Sequence, residues 1–132
     1  MTRAAYIDTS CIVAVLFGER GGTAVRRALD RLDSVFASNL LEAELRAAIA
    51  REQVEPEAIE PALDAMRWVF PSRSLAPEFR RVLAAGYARG ADLWHLACAL
   101  FLQEALQPMP FLTLDRKQRA LAQAVGLRTG PR

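Results

Sequence analysis

Four acidic residues of this chain lie close to the junction between a strand-like segment and a helix-like segment. They are Asp8, Glu44, Asp92 and Asp115. In an open α/β sheet such junctions meet at the carboxyl edge of the strands, where ligands bind. Carboxylates gathered at one edge repel one another, and a divalent cation removes that repulsion. A ligand set made of oxygen atoms alone favours Mg²⁺, with Mn²⁺ as a substitute, over zinc.

Each of these acids also has a purely structural interpretation. Asp8, Asp92 and Asp115 precede apolar helix-like segments and are suitable N-caps for them. Glu44 lies at one margin of an apolar stripe and Glu42 lies at the other, so periodicity does not separate the two. For Asp92 the structural and functional interpretations are evenly balanced: it can cap its helix, but a carboxylate at the border of so apolar a segment needs a partner for its charge, and a metal ion is one of the few that remove the cost.

The elements that position these acids alternate between strands and helices. The predicted strands are 4–7, 35–38, 68–70, 111–114 and 127–129, and the predicted helices are 11–17, 24–32, 40–52, 56–66, 77–87, 92–106 and 116–125. Thr23 is the expected N-cap of the second helix. Alternation of this kind predicts an α/β fold, with helices on both faces of a mainly parallel sheet of four or five strands.

Length and composition are typical of one globular domain. The chain has 132 residues, 52% of them hydrophobic, and we expect residues 1–132 to form a single domain. We also expect a cytoplasmic protein, because no apolar run approaches the roughly 18 residues of a membrane span and the N-terminus lacks the zones of a signal peptide. Cys11 and Cys98 lie inside apolar runs and are expected to be core residues. A net charge of +2 does not by itself predict a polyanionic partner.

In sequence the chain resembles a PIN domain, and in particular the small VapC-type toxins of bacterial toxin–antitoxin pairs. The likeness covers nearly the whole chain and depends on four short motifs in the same order. They are Tyr6-Ile7-Asp8-Thr9-Ser10, Ala37-Ser38 with Leu41 and Glu44-Leu45, Arg89 with Asp92 and His95-Leu96-Ala97, and Phe111-Leu112-Thr113-Leu114-Asp115-Arg116. The family's acid corresponds to Glu44 rather than Glu42. Many members carry a further acid where Gln118 and Arg119 stand, which leaves open whether one or two metal ions bind.

The resemblance implies a three-layer PIN-like fold and a metal-dependent endoribonuclease that acts as the toxin of a toxin–antitoxin pair. Its catalytic residues would be Asp8, Glu44, Asp92 and Asp115, of which Asp8, Asp92 and Asp115 would bind Mg²⁺ or Mn²⁺ and Glu44 would act through water. Candidates to hold waters or phosphate oxygens are Thr9, Ser10, Thr113 and Arg116. The expected partners are RNA, a cognate antitoxin and a second copy of the chain in a homodimer.

Three other residues carry alternative interpretations. His95, the one histidine, is either a packed side chain bonded to backbone or an acid, which an apolar helix favours, or a general acid. Arg116 is either solvated or a contact for RNA phosphate. Trp94 is expected in the core rather than at a base-stacking site.

Alternative functions fit the sequence less well. A phosphatase of the haloacid dehalogenase type needs a second acid where Ser10 stands, and a receiver domain needs neighbouring acids and a lysine after a late strand, whereas the one lysine is Lys117. The principal alternative is a degenerate PIN domain that binds RNA or a protein partner without catalysis.

Overall fold

Strands and α-helices alternate along residues 3–131, the part of the chain that this computed structural model describes. The strands are β1 (Ala4–Ile7), β2 (Ser34–Ser38), β3 (Met66–Val69), β4 (Phe111–Leu112) and β5 (Thr129–Gly130). The α-helices are α1 (Thr9–Phe17), α2 (Gly22–Asp30), α3 (Leu40–Arg51), α4 (Glu60–Asp64), α5 (Ala76–Ala85), α6 (Gly90–Ala105) and α7 (Arg116–Ala124), and a 3₁₀ helix (Pro56–Ile59) precedes α4.

The strands form one parallel sheet in the order β3-β2-β1-β4-β5, which places β1 at its centre. Successive side chains of a strand point to opposite faces. Accordingly, Tyr6 packs into a core formed with α5, α6 and α7. Ala5 and Ile7 pack into a second core, formed with α1, α2, α3 and α4. The predicted α/β/α layers and five-stranded sheet are therefore confirmed.

The turn from α1 to α2 is fixed by glycines. Gly18 ends α1 at φ 64°, a left-handed conformation that favours glycine, and its N–H donates to the carbonyl of Ala14. At Gly22 an added Cβ would lie 2.6 Å from that same Ala14 carbonyl oxygen. The prediction of Thr23 as N-cap was wrong: the cap residue is Gly21, because α2 begins early enough to pack directly on α1.

The segment predicted as one helix over 56–66 is broken. Its first part is the 3₁₀ helix, its second part is α4, which ends at Asp64, and Met66 already belongs to β3. The predicted strand 68–70 is accordingly shifted towards the N-terminus, and Phe70 lies outside it with 66% of its surface exposed. Pairing of β3 with β2 along its whole length decides this boundary.

Other helix and strand boundaries differ from the predicted ones by a few residues, and these differences change where the candidate site residues lie. Helix α5 ends at Ala85, so Tyr87 lies in a loop rather than in the helix. Helix α6 begins at Gly90, which places Asp92 inside its first turn; the N-cap is Arg89, not Asp92. Strand β4 stops at Leu112, two residues before its predicted end, and β5 is Thr129–Gly130 rather than 127–129.

The structure also bears on the expectations for the two cysteines and for membrane-spanning segments. Cys11 and Cys98 are buried as free thiols, and burial raises the pKa of Cys98 to about 12. Within residues 3–131, none of the helices has the length and apolar character required to cross a lipid bilayer.

Candidate active site

Asp8 lies at the carboxyl end of the central strand and is 5% exposed. It occupies the N-cap position of α1, but its side chain makes no capping hydrogen bond. Instead, Ser10 Oγ donates to Asp8 Oδ1 at 2.5 Å. Burial raises the pKa of Asp8 above its ordinary value, and the nearby hydroxyls of Ser10 and Thr113, the His95 ring and the backbone N–H of Cys11 only partly oppose this. The carboxylate therefore bonds to a hydroxyl group and does not cap α1.

Asp115 lies beyond the neighbouring strand and has a different set of contacts. It is exposed, and its Oδ1 accepts a hydrogen bond from the backbone N–H of Gln118 at 2.9 Å, so it is the N-cap of α7. Its own N–H donates to Thr113 Oγ1 at 3.1 Å. The Thr113 hydroxyl also lowers the pKa of Asp8, so one threonine acts on the acids that follow β1 and β4.

Asp92 and Asp115 line a common pocket of about 220 Å³. The two acids are held near each other by Gln118, whose side-chain Nε2 donates to the Asp92 carbonyl oxygen at 2.8 Å. The rim carries an exposed aromatic ring and two cations: Tyr87, Arg89 and Lys117. Lys117 Nζ lies 5.1 Å from the centroid of the Tyr87 ring. The pocket therefore combines two carboxylates with an aromatic ring on which a nucleobase could stack and two cations suited to a phosphate group.

Glu44, on α3, is held by two hydrogen bonds to one of its oxygens. Thr9 Oγ1 donates to Glu44 Oε1 at 2.7 Å, and His95 Nε2 lies 2.8 Å from the same oxygen. Burial raises the pKa of Glu44, but these two hydrogen bonds outweigh it, and the pKa falls below its ordinary value. Glu42, by contrast, pairs with Arg46 at 2.7 Å on the surface. The structure thus separates two glutamates that periodicity left equivalent.

The four acids consequently lie along one edge of the sheet as connected groups rather than as one tight cluster. Thr113 accepts the N–H of Asp115 and lowers the pKa of Asp8. Gln118 bonds to both Asp92 and Asp115, and Thr9 and His95 bond to Glu44. Within residues 3–131, no three Asp, Glu, His or Cys side chains form a ready-made metal site. In the same part of the chain no lysine or arginine forms a salt bridge with Asp8, Asp92 or Asp115.

The four predicted accessory residues have different surroundings. The hydroxyls of Thr9, Ser10 and Thr113 bond directly to acids of the site, as given above. Ser10 Oγ in addition accepts the N–H of Leu114 at 3.1 Å, which links the end of β1 to the segment after β4. Arg116 is exposed at the start of α7.

Sequence reasoning missed several residues of this region. His95 is confirmed as a packed histidine bonded to an acid, but its second partner, Tyr6, was not foreseen. The signal for Tyr6 was its place two residues before Asp8, on the same strand face. Gln118 was noted only as a missing acid, yet it is buried and connects α6 to α7. Tyr87 was missed because it was placed inside α5.

Comparisons with known proteins agree with this architecture. The PIN domain family model matches residues 5–126. The solved structure of VapBC-1 from nontypeable Haemophilus influenzae has a TM-score of 0.69 at 18% sequence identity, and that of FitAcB from Neisseria gonorrhoeae has a TM-score of 0.65 at 16%. Each match covers 96% of both chains. No curated protein sequence matches the chain significantly. The family model spans nearly all of the sequence, and the chain therefore belongs to the PIN domain family, whose members are generally nucleases.

Proposed function

We propose that this protein is a metal-dependent endoribonuclease and the toxin of a toxin–antitoxin pair. The observation that carries the proposal is Asp8, a buried carboxylate at the end of the central strand that accepts from the Ser10 hydroxyl but forms no salt bridge to a lysine or arginine within residues 3–131. A protein tolerates an uncompensated buried acid mainly where that acid has a task. In a PIN domain, that task is nucleic-acid hydrolysis.

The donor atoms fit Mg²⁺, with Mn²⁺ as its substitute. Mg²⁺ keeps several waters and is commonly bound by only one or two carboxylates together with substrate phosphates, so it requires no three-residue cage. Asp8, Asp92 and Asp115 would hold the ion, one or two of them directly and the rest through water, and Glu44 would reach it through water. When bound, the ion would make a water nucleophilic and neutralise charge on the scissile phosphate.

Glu44 has the properties of an orienting group. Its lowered pKa keeps it ionised, which makes it a dependable hydrogen-bond acceptor for the attacking water and a weak base. One of its oxygens is already occupied by two donors, which fixes the direction of the other. Asp8, whose pKa burial raises, gains most from a nearby cation, because the cation favours its charged form.

The rim of the pocket indicates a single-stranded RNA substrate. Tyr87 is 67% exposed, and an exposed aromatic ring offers a stacking surface for an unpaired base. Arg89 and Lys117 line the same pocket and are placed for phosphate groups, and Arg116 adjoins them in sequence. We therefore propose that the strand passes over the Asp92–Asp115 pocket with one base on Tyr87.

An antitoxin partner, a homodimer and a cytoplasmic location complete the proposal. The antitoxin partner and the homodimer follow from the resemblance to VapC-type toxins, and the similar fold of VapBC-1 and FitAcB supports the antitoxin partner. The cytoplasmic location rests on the sequence prediction alone.

A cleavage assay tests the function. The purified chain is incubated with single-stranded RNA in Mg²⁺, in Mn²⁺ and in a chelator, alongside Asp8→Asn and a control, Asp64→Asn, which changes an exposed acid at the end of α4. We expect cleavage in either metal by the wild type and the control, and none in chelator or by Asp8→Asn. Binding of RNA without cleavage by the wild type would favour the degenerate PIN domain instead.

A further inference from the structure

A line of hydrogen bonds crosses the carboxyl end of β1 and joins the two cores. It starts at the N–H of Ser38, which donates to the Tyr6 hydroxyl oxygen at 3.2 Å. The Tyr6 hydroxyl lies 2.7 Å from His95 Nδ1, and His95 Nε2 lies 2.8 Å from Glu44 Oε1. Tyr6 and His95 belong to the core under α6, whereas Glu44 stands on α3, which covers the opposite face.

The direction of donation along this line can be deduced from its two ends. The Tyr6 oxygen already accepts from the N–H of Ser38, and a phenol is protonated at neutral pH, so it keeps one proton to donate. Within residues 3–131 the one side-chain atom at hydrogen-bond distance from this oxygen is His95 Nδ1, at 2.7 Å. At the other end Glu44 is a carboxylate and can only accept.

These two ends permit one arrangement of the imidazole that satisfies every group. Nδ1 is unprotonated and accepts from Tyr6, and Nε2 carries the proton and donates to Glu44. The other tautomer would leave the Tyr6 proton without an acceptor and would set a lone pair on Nε2 against the Glu44 carboxylate. His95 is 2% exposed, and a hydrogen bond left unmade at so buried a site is costly because water cannot replace it.

We propose that Tyr6 and His95 are positioning residues that hold Glu44 through the Nε2–H tautomer of His95. Together with Thr9, they occupy Glu44 Oε1 with two donors. Oε2 has no hydrogen-bond partner within residues 3–131, and the Glu44 side chain is 33% exposed. The free oxygen is thus kept in one orientation towards a water or ion. This role in RNA cleavage rests on the proposed function, whereas the tautomer itself does not.

Packing also holds the Tyr6 ring, and this keeps the Tyr6–His95–Glu44 hydrogen bonds in place. The Tyr6 ring stacks on Phe111 with a centroid distance of 5.6 Å and an interplanar angle of 7°. It meets the His95 ring edge-on at 5.8 Å. Because both rings are fixed, the Tyr6 hydroxyl can transmit position to His95 rather than merely fill space.

The tautomer is tested by ¹⁵N NMR of the metal-free wild-type chain. His95 is the one histidine, so its two ring nitrogens give an unambiguous pair of signals. We expect a protonated Nε2 and an unprotonated Nδ1 at neutral pH. A protonated Nδ1, whether in the other tautomer or in the imidazolium, would overturn the inference.

The positioning role is tested by two substitutions that share an amide group and differ by one methylene in length. In His95→Gln the amide nitrogen reaches the place of Nε2 and can still donate to Glu44, whereas in His95→Asn the amide reaches only the place of Nδ1. Once melting curves show that both are folded, we expect kcat for RNA cleavage to be about 10-fold or more lower in His95→Asn than in His95→Gln, with similar KM. Equal losses in the two variants would contradict the role.

The two arms keep this inference separate from the proposed function. If the wild type fails to cleave RNA, the proposed function fails, and the NMR measurement still decides the tautomer. If the wild type cleaves RNA and NMR shows a protonated Nδ1, the proposed function is retained and the positioning of Glu44 by Tyr6 and His95 is rejected.

Discussion

The ends of β1 and β4 have nearly the same local design and opposite outcomes. At each end an aspartate occupies the N-cap position of the next helix, and a residue with a hydroxyl, Tyr6 or Thr113, stands two positions before it. Asp115 uses an oxygen to cap α7 and is exposed. Asp8 is buried, caps nothing, and has a pKa raised by burial.

This difference is the basis of the functional role that we propose for Asp8. A cap satisfies a backbone N–H of its own helix, which would otherwise lack a partner. Asp8 gives its helix no such bond and still bears the cost of burial, so local structure does not explain why an acid stands there. Asp115 combines both roles, since it caps α7 and also lines the pocket with Asp92.

The largest effect is expected from Asp8→Asn. Cleavage should fall by about 100-fold or more, the scale of a lost catalytic group. In chelator the free energy of unfolding should stay equal or rise, because the ionised form of Asp8 is disfavoured by burial and asparagine removes that charge. Nuclease rates and urea unfolding measure the two effects. A variant that is inactive because it is less stable would show that Asp8 is structural.

The next effect is expected from Tyr87→Ala, which probes the β4 side of the site. Loss of one base-stacking surface should weaken binding of single-stranded RNA by about 1–3 kcal/mol, with little change in stability because the ring is exposed. Phe70→Ala is the matched control, since Phe70 is equally exposed, at 66%, and does not line the pocket. Equal losses of RNA affinity in the two variants would argue against a stacking site at Tyr87.

Ser10→Ala tests the link between the two strand ends. The Ser10 hydroxyl donates to Asp8 and accepts from the N–H of Leu114. Its removal should lower the free energy of unfolding by about 1–3 kcal/mol, because the N–H of Leu114 loses its partner. Denaturant titration measures this, and an unchanged midpoint would show that the two ends are independent.

The smallest effect is expected at the cap itself. Asp115→Ala should lower the free energy of unfolding by about 0.5–2 kcal/mol, whereas Asp115→Asn keeps a capping oxygen and should remain near the wild type. Both should reduce cleavage, because both remove a charge from the pocket. If Asp115→Asn were fully active, Asp115 would be a cap and nothing more.

The comparison also shows what the sequence could and could not predict. Alternating apolar runs predicted the layers and the position of Asp8, because β1 is apolar throughout and sits at the centre of the sheet. Periodicity could not separate Glu44 from Glu42, since their difference lies in contacts with Thr9 and His95 from distant parts of the chain. The cap at Gly21 depends on how closely α2 approaches α1, which a local pattern does not encode.

Metal binding is the central claim, and calorimetric titration with Mn²⁺ tests it most directly. The wild type and Asp64→Asn should bind the ion alike, and Asp8→Asn should bind it about 10-fold or more weakly. Equal affinity for Mn²⁺ in the wild type and Asp8→Asn would contradict a role of this carboxylate in holding the ion.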